Sequence, residues 1–393
     1  MERIIKYILS LAGLILLAMN CQKETSSPSD TFGYAMQQLA PIADLQILQN
    51  NDAMIAVSGS YQGRIFTSSA RGKSGKSYGW FNQDLIDKNL HETEMAHLGG
   101  ESRLWFAPEW GPFSLYFESG KPQNNANLRR PKDLQTKKFS KIASTAHSLT
   151  YGGEMQLVND HDYVFDIAVV RKIALLSKNE IEHNLQITLP NDVAVVGFSA
   201  ENIVENISDQ PLKKETGLIG IWELGCMLTT PDNVVILPLS QPTDSITEYF
   251  AATTNRIQIK NQVAYYKADA QGLSKIGIAP KYCKNVMGSY SPSQKLLNIV
   301  TFTFDKAGEF VNSQPENTAP YQGDVINIFN GVVNEALELP FYEFESISSS
   351  KEMLPQEKMM HRQTTYHFEG EVEVLAKIAR VVLGVNLEEI PRF

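Results

Sequence analysis

Cysteine is nearly absent from this chain: Cys21, Cys226 and Cys283 are the whole supply in 393 residues. No C-x-x-C pair and no Cys/His spacing of a zinc site occurs, so neither a disulfide framework nor a structural metal is expected to hold the fold. Cys226 and Cys283 either form one bridge or remain thiols. Cys226 lies in the apolar run "LIGIWELGCML", where a buried free thiol fits equally well. Basic runs are missing too. Nothing longer than a pair such as Arg129–Arg130 or Lys137–Lys138 is present, which argues against a phosphate-tracking surface and a nucleic-acid partner. There is no G-x-S-x-G elbow, P-loop or dinucleotide fingerprint, so no nucleotide cofactor is expected. His91 and His97 stand six apart without H-E-x-x-H or facial-triad spacing, and are read as loop residues holding no metal.

A long apolar run occurs only at the start. Arg3 and Lys6 precede or flank the run Tyr7–Met19, thirteen residues that are nearly all apolar. At 1.5 Å per residue this is too short to span about 30 Å of hydrocarbon. A charged start, short apolar stretch and polar exit read as a secretory signal over residues 1–20. The exit, "LLAMNCQKETSSPSD", resembles a bacterial lipoprotein cleavage site with Cys21 as the lipidated residue. Residues 21–30 are polar and suit a flexible tether. The expectation is a protein of the bacterial cell envelope, held to a membrane by its N-terminal lipid, periplasmic or on the outer-membrane surface. From 35 basic and 44 acidic residues, loss of Arg3, Lys6 and Glu2 leaves 33 against 43.

Beyond the tether the chain reads as strands. "AMIAVSG" (53–59), "GRIFTSSA" (63–70), "YVFDIAVVRKIALLS" (163–177), "DVAVVGFSAENIVENIS" (192–208), "KLLNIVTFTF" (295–304), "DVINIFNG" (324–331), "LPFYEFESIS" (339–348) and "HRQTTYHFEG" (361–370) are rich in Val, Ile, Thr and aromatics. Asn, Asp, Gly and Pro separate them, the pattern of an all-β sandwich or barrel and not of βαβ units. Helices are expected in "TFGYAMQQLA" and in "EVEVLAKIARVVLG", with Gly384 closing the second. No repeat or linker divides residues 31–393, which are read as one domain.

Period two places Glu343 and Glu345 on one face with Phe341 and Ile347. Two carboxylates about 7 Å apart on an apolar face repel, and burial raises at least one pKa. That prepares a general acid or base, unless a carboxylate is simply ion-paired. In the next strand His361, Gln363, Thr365 and His367 share a face, which is either solvent-exposed or the lining of a polar groove. If the two strands are antiparallel neighbours, the glutamates and histidines meet in one groove. Upstream, "HLGGESRLWFAPEWGPFSLYF" predicts strands at 102–107 and 113–117 about a Pro-rich corner. Arg103 and Trp105 share a face, a guanidinium for hydroxyls beside an indole for a sugar's C–H face. The alternative is an Arg–Glu ion pair with Glu101 or Glu109 and a core tryptophan. Trp222 is read as core, and His161, between two aspartates, as solvated.

The blocks "YQGRIFTSSARGKSGKSYGWFNQDLI", "GGESRLWFAPEWGPFSLYF", "YQGDVINIFNG" and "FYEFESISSSKEMLPQEKMMHRQTTYHFEG" occur in this order over most of the chain. As a set they resemble a family of Bacteroidetes-type lipoproteins related to the galactose mutarotase-like superfamily. The resemblance implies a β-supersandwich that binds carbohydrate on a concave sheet. It also implies that Glu109 flanks the cleft and that glutamate and histidine act as base and acid. Glu343, Glu345 and His367 are thus the catalytic candidates, and Arg103, Trp105, Glu109 and His361 the substrate-binding ones. No cofactor is expected, and the oligomeric state is left open. Three functions follow: a carbohydrate-binding lipoprotein, a sugar epimerase or acid–base lyase using a Glu/His pair, or an assembly lipoprotein with a filled cleft.

Overall fold

Val, Ile, Thr and aromatic residues at period two make strands that can bury one face or both. The computed structural model describes residues 28–90, 92, 96–251, 253, 255–335 and 337–393; the signal, Cys21 and His91 lie outside them. In chain order come β1 (Gln46–Asn50), β2 (Ala53–Ser58), β3 (Arg64–Ser69), β4 (Arg103–Ala107), β5 (Ser140–Ser144) and β6 (Ser148–Val158). Then follow β7 (Val164–Leu175), β8 (Ala194–Asn206), β9 (Gly220–Leu228), β10 (Val234–Pro238), β11 (Thr247–Glu248), β12 (Ile257–Lys260) and β13 (Val263–Lys267). The last are β14 (Gln271–Ile278), β15 (Val286–Ser291), β16 (Leu296–Phe302), β17 (Ile326–Val332), β18 (Phe341–Ile347) and β19 (Lys358–Glu369).

These form an all-β fold of three sheets. The back sheet has ten strands in the order β12-β13-β10-β15-β16-β19-β8-β7-β6-β5, and the front sheet six in the order β11-β14-β17-β18-β9-β4. A third sheet, β1-β2-β3, completes the set. Apolar layers join front to back: Ile276, Ile328 and Phe344 of the front sheet pack with Val235, Met287 and Val300 of the back sheet. Fully burying each such side chain contributes about 1.5–3 kcal/mol.

Polar groups also cross this interior and are met by hydrogen bonds, although Glu101 Oε2 and Gln363 Nε2 have no partner among the described residues. Arg171 on β7 donates to both carboxylate oxygens of Glu223 on β9, at 2.6 and 2.8 Å. It donates further to Asn202 and Ser102, each at 2.7 Å. Tyr342 on β18 lies 2.7 Å from Ser289 and accepts from Asn298 at 2.9 Å. His361 on β19 lies 2.7 Å from Ser346 and 3.0 Å from Thr303, and burial pushes its pKa down to about 3. His367 bonds Glu101 and Asn298.

Most expected strands are present, as are helices at Phe32–Gln38 and Val372–Val382, the latter closed by Gly384 at φ 70°. Both interior cysteines are buried thiols. Three expectations require correction. First, β18 and β19 are not neighbours: one belongs to the front sheet and the other to the back. Second, His361, Gln363, Thr365 and His367 do share a face, but that face is buried between the sheets and lines no open groove. Ser346, Glu101, Asn298 and Thr303 supply the hydrogen bonds that make this tolerable. Third, residues 113–117 form no strand. Phe113 takes φ 66°, and Leu115 N–H and Tyr116 OH donate back to Pro108 and Phe106 at 3.2 and 3.0 Å. A helix at Lys178–Leu185, opened by a Ser177/Glu180 capping box, escaped the reading, as did β6, whose Gly152–Gly153 interrupts the pattern.

Arg171→Met leaves the Glu223 carboxylate buried without its guanidinium. Urea denaturation should register a loss of about 3–5 kcal/mol, part of which returns when Glu223→Gln is added.

Candidate functional site

Period two gives the front sheet two unlike faces. On β18, Tyr342, Phe344 and Ser346 point between the sheets, so Phe341, Glu343 and Glu345 point outward. Register then collects their neighbours on the outer face. Cys226 and Phe329 lie opposite Glu343, Leu224 and Asn327 opposite Glu345, Lys275 opposite Phe329, and Arg103 opposite Leu224. The segment carrying Trp80, Glu92 and His97 covers this face: Trp80 stacks on Phe341 at 4.3 Å, and the His97 ring sits 6.0 Å from it.

Charges on the face are paired within it. Arg103 donates to Glu343 at 2.8 Å, and the Cys226 thiol donates to the same oxygen at 2.8 Å. Lys275 lies 2.9 Å from Glu345, whose same oxygen accepts from the Trp222 indole at 3.0 Å. Trp105 is buried with the guanidiniums of Arg103 and Arg130 at 5.0 and 5.2 Å from its ring centre. Beyond Lys275, Tyr249 donates to Asp324 at 2.9 Å. The buried polar atoms of this face with no hydrogen-bond partner among the described residues include Arg103 Nε, Arg130 Nε, Asn327 Oδ1 and Glu345 Oε1.

The same surroundings separate the acidities. Burial pushes Glu343 up, but Arg103 and His97, with the hydrogen bonds from Cys226 and Arg103, outweigh it and leave its pKa below the usual carboxylate value. Burial raises Glu345, Lys275 opposes and Glu343 adds repulsion, leaving it at about 7. Burial also raises Asp324 to about 6, against the hydrogen bonds from Tyr249 and Thr247. Burial and Arg130 bring His97 down to about 4, so its ring is neutral at pH 7. Burial acts against Glu92, but Arg64, Arg130 and Arg103 hold it at about 2. An ionised carboxylate, a half-protonated one and a neutral imidazole therefore share one face, the division of labour that acid–base chemistry requires.

Residues 30–393 match a family of unknown function, DUF6786. The chain belongs to that family. No curated protein matches it. Among solved structures it is similar to a proposed aldose 1-epimerase of Escherichia coli K12, with 9% identity and a TM-score of 0.48 over 82% of this chain and 98% of that one. A galactose mutarotase-like protein of Lactobacillus casei gives 11% and 0.47 over 83% and 99%. The Slr1438 protein of Synechocystis gives 9% and 0.48 over 83% and 96%. Likenesses at these scores carry no argument about the site, which rests on this chain's own residues.

Of the residues singled out from sequence, Arg103, Trp105, Glu343 and Glu345 come together on the outer face. Glu109 stands half-buried at its margin, where its charge acts on Lys275 and Glu345. His361 and His367 do not join them, because they lie on the far side of the front sheet. The imidazole that does is His97, read above as a plain loop residue. Trp222, read as core, is buried but faces Glu345 and meets Trp105 edge-on at 5.7 Å. Lys275, Asn327, Phe329 and Asp324 were not singled out. Lys275 was legible, as a lone charge inside the apolar strand "LSKIGI".

Because the folded state holds the Glu345 proton more tightly than the unfolded chain does, this group favours folding at low pH and loses that contribution between about pH 4.5 and 7. Wild type should therefore lose stability relative to Glu345→Gln across that window. A carboxylic-acid infrared band that titrates near pH 7 should vanish in the variant.

Proposed function

We propose that the outer face of the front sheet is a carbohydrate-binding cleft in an extracytoplasmic, lipid-anchored protein. Three of the unpartnered buried atoms, those around Glu345, carry the reading. Arg103 Nε can only donate, while Asn327 Oδ1 and ionised Glu345 Oε1 accept. Leaving such atoms unsatisfied costs about 1–3 kcal/mol each. Sugar hydroxyls both donate and accept and can serve all three, and the His97 and Phe329 rings offer apolar surface for C–H faces. Trp105 takes no part as a platform, since two guanidiniums cover its ring. The anchor rests on the residue pattern of 1–20 and on Cys21.

A second reading is an acid–base enzyme acting on a bound sugar. It is favoured by Glu345 at about 7 beside ionised Glu343 and neutral His97. Protonated Glu345 would give its proton to the ring oxygen while neutral His97 takes the one leaving the anomeric hydroxyl, the two protons returning on reclosure, and Glu343 and Arg103 would hold the ring. Anomer interconversion followed by NMR separates this reading from simple binding.

Calorimetry with hexoses and a glycan array should detect binding that weakens about tenfold or more in Glu345→Gln, since hydrogen bonds to charged groups are worth about 1.5–3 kcal/mol. A folded wild-type protein that binds no sugar defeats the proposal. For the anchor, wild type expressed with its signal should partition into detergent and carry added lipid mass. Cys21→Ser should stay aqueous and unmodified.

A further inference from the structure

Aromatic rings continue outward from the cleft in an unbroken series. Trp80 stacks on Phe341 at 4.3 Å and 26°, and Phe341 on Phe329 at 5.8 Å and 27°. Phe329 in turn lies 6.3 Å from Phe250. Exposure rises along the row: Trp80 and Phe341 are buried, Phe329 is half-buried and Phe250 is 53% exposed. One exposed phenylalanine is unremarkable in itself. This one differs in being the outer end of a series that passes through Phe329, the cross-strand neighbour of Glu343, and in following directly on Tyr249, which is anchored.

The residue before it holds it in place. Tyr249 N–H donates to the Lys275 carbonyl at 3.0 Å, and Tyr249 OH donates to Asp324 at 2.9 Å. Tyr249 therefore points into the cleft beside Lys275, at 5.5 Å from its ammonium. Thr253, itself buried, donates its hydroxyl to Glu248 at 2.8 Å. An aromatic ring next to an anchored residue and against a second ring has less conformational freedom to lose on meeting a ligand, which is how rigid aromatic anchors add affinity.

We infer that the cleft takes an oligosaccharide and not a lone monosaccharide: one sugar unit sits over Glu343, Glu345 and Asn327, and the next lies on Phe250 and Phe329. This rests on the carbohydrate reading above and narrows its substrate class. A sugar's C–H face matches an exposed phenyl ring and leaves its hydroxyls in water, so the outer unit adds affinity without new buried charge. Phe250 and Phe329 thus set chain length and the inner carboxylates set sugar identity.

Calorimetry pairs each monosaccharide with its dimer: glucose with maltose and cellobiose, galactose with galactobiose, mannose with mannobiose. For the matching pair the disaccharide should bind about five- to tenfold tighter in wild type. Phe250→Ala should reduce that ratio towards one, and Phe250→Trp should keep it. Leu354→Ala, which alters another exposed apolar residue, should leave the ratio at its wild-type value. Equal mono- and disaccharide affinities in wild type would overturn the inference while the carbohydrate reading stood. So would an unchanged ratio in Phe250→Ala, or a dimer of this chain that Phe250→Ala abolishes. Absence of binding by any sugar would end both.

Discussion

The buried pair of Arg171 and Glu223 decides which way the front sheet faces. Glu223 is accommodated inside the sandwich because a guanidinium from the back sheet meets its carboxylate with two hydrogen bonds, and Asn202 and Ser102 complete the set. Once Glu223 points inward, strand alternation turns Trp222, Leu224 and Cys226 outward. Ser102, tied to the same guanidinium, does the same for Arg103 on the neighbouring strand. The outer face that carries Glu343 and Glu345 is in this sense the reverse side of an interior ion pair.

On the outward side a second constraint takes over. Three strands, β4, β14 and β18, bring Arg103, Lys275, Glu343 and Glu345 within one buried patch, and each cation takes one carboxylate. Pairing is unequal in effect. Glu343 receives both a guanidinium and a thiol hydrogen and is held ionised, whereas Glu345 keeps one oxygen unsatisfied and retains its proton to about pH 7. Two glutamates two residues apart in sequence thereby acquire different chemistry from their cross-strand neighbours alone.

How much of this could be read from the chain follows from the same geometry. Alternation is a local property, so the pairing of Glu343 with Glu345 and of Arg103 with Trp105 on single faces was legible, as was the shared face of His361 and His367. Strand order is not local. Nothing in "SSSKEMLPQEKMM" says that the chain leaves the front sheet for the back one, and that crossing alone moved both histidines away from the glutamates. His97 was missed for a related reason: its place depends on a covering segment docking through Trp80 on Phe341, a contact between residues some 260 positions apart in sequence. Lys275 and Asn327 show period-two placement in strands, yet only register across β14, β17 and β18 makes them neighbours of Glu345.

The polar crossings between the sheets have a mechanical meaning as well. Arg171 with Glu223, Tyr342 with Ser289 and Asn298, His361 with Ser346, and His367 with Glu101 all span the gap. Oily sandwiches can shear, since one methyl group serves as well as another. Here a slip by a single pair of residues would orphan every one of these groups together. The two sheets therefore behave as a keyed joint with one allowed setting, and any change at the outer face has to come from side-chain rotamers and covering segments, never from sliding of the frame.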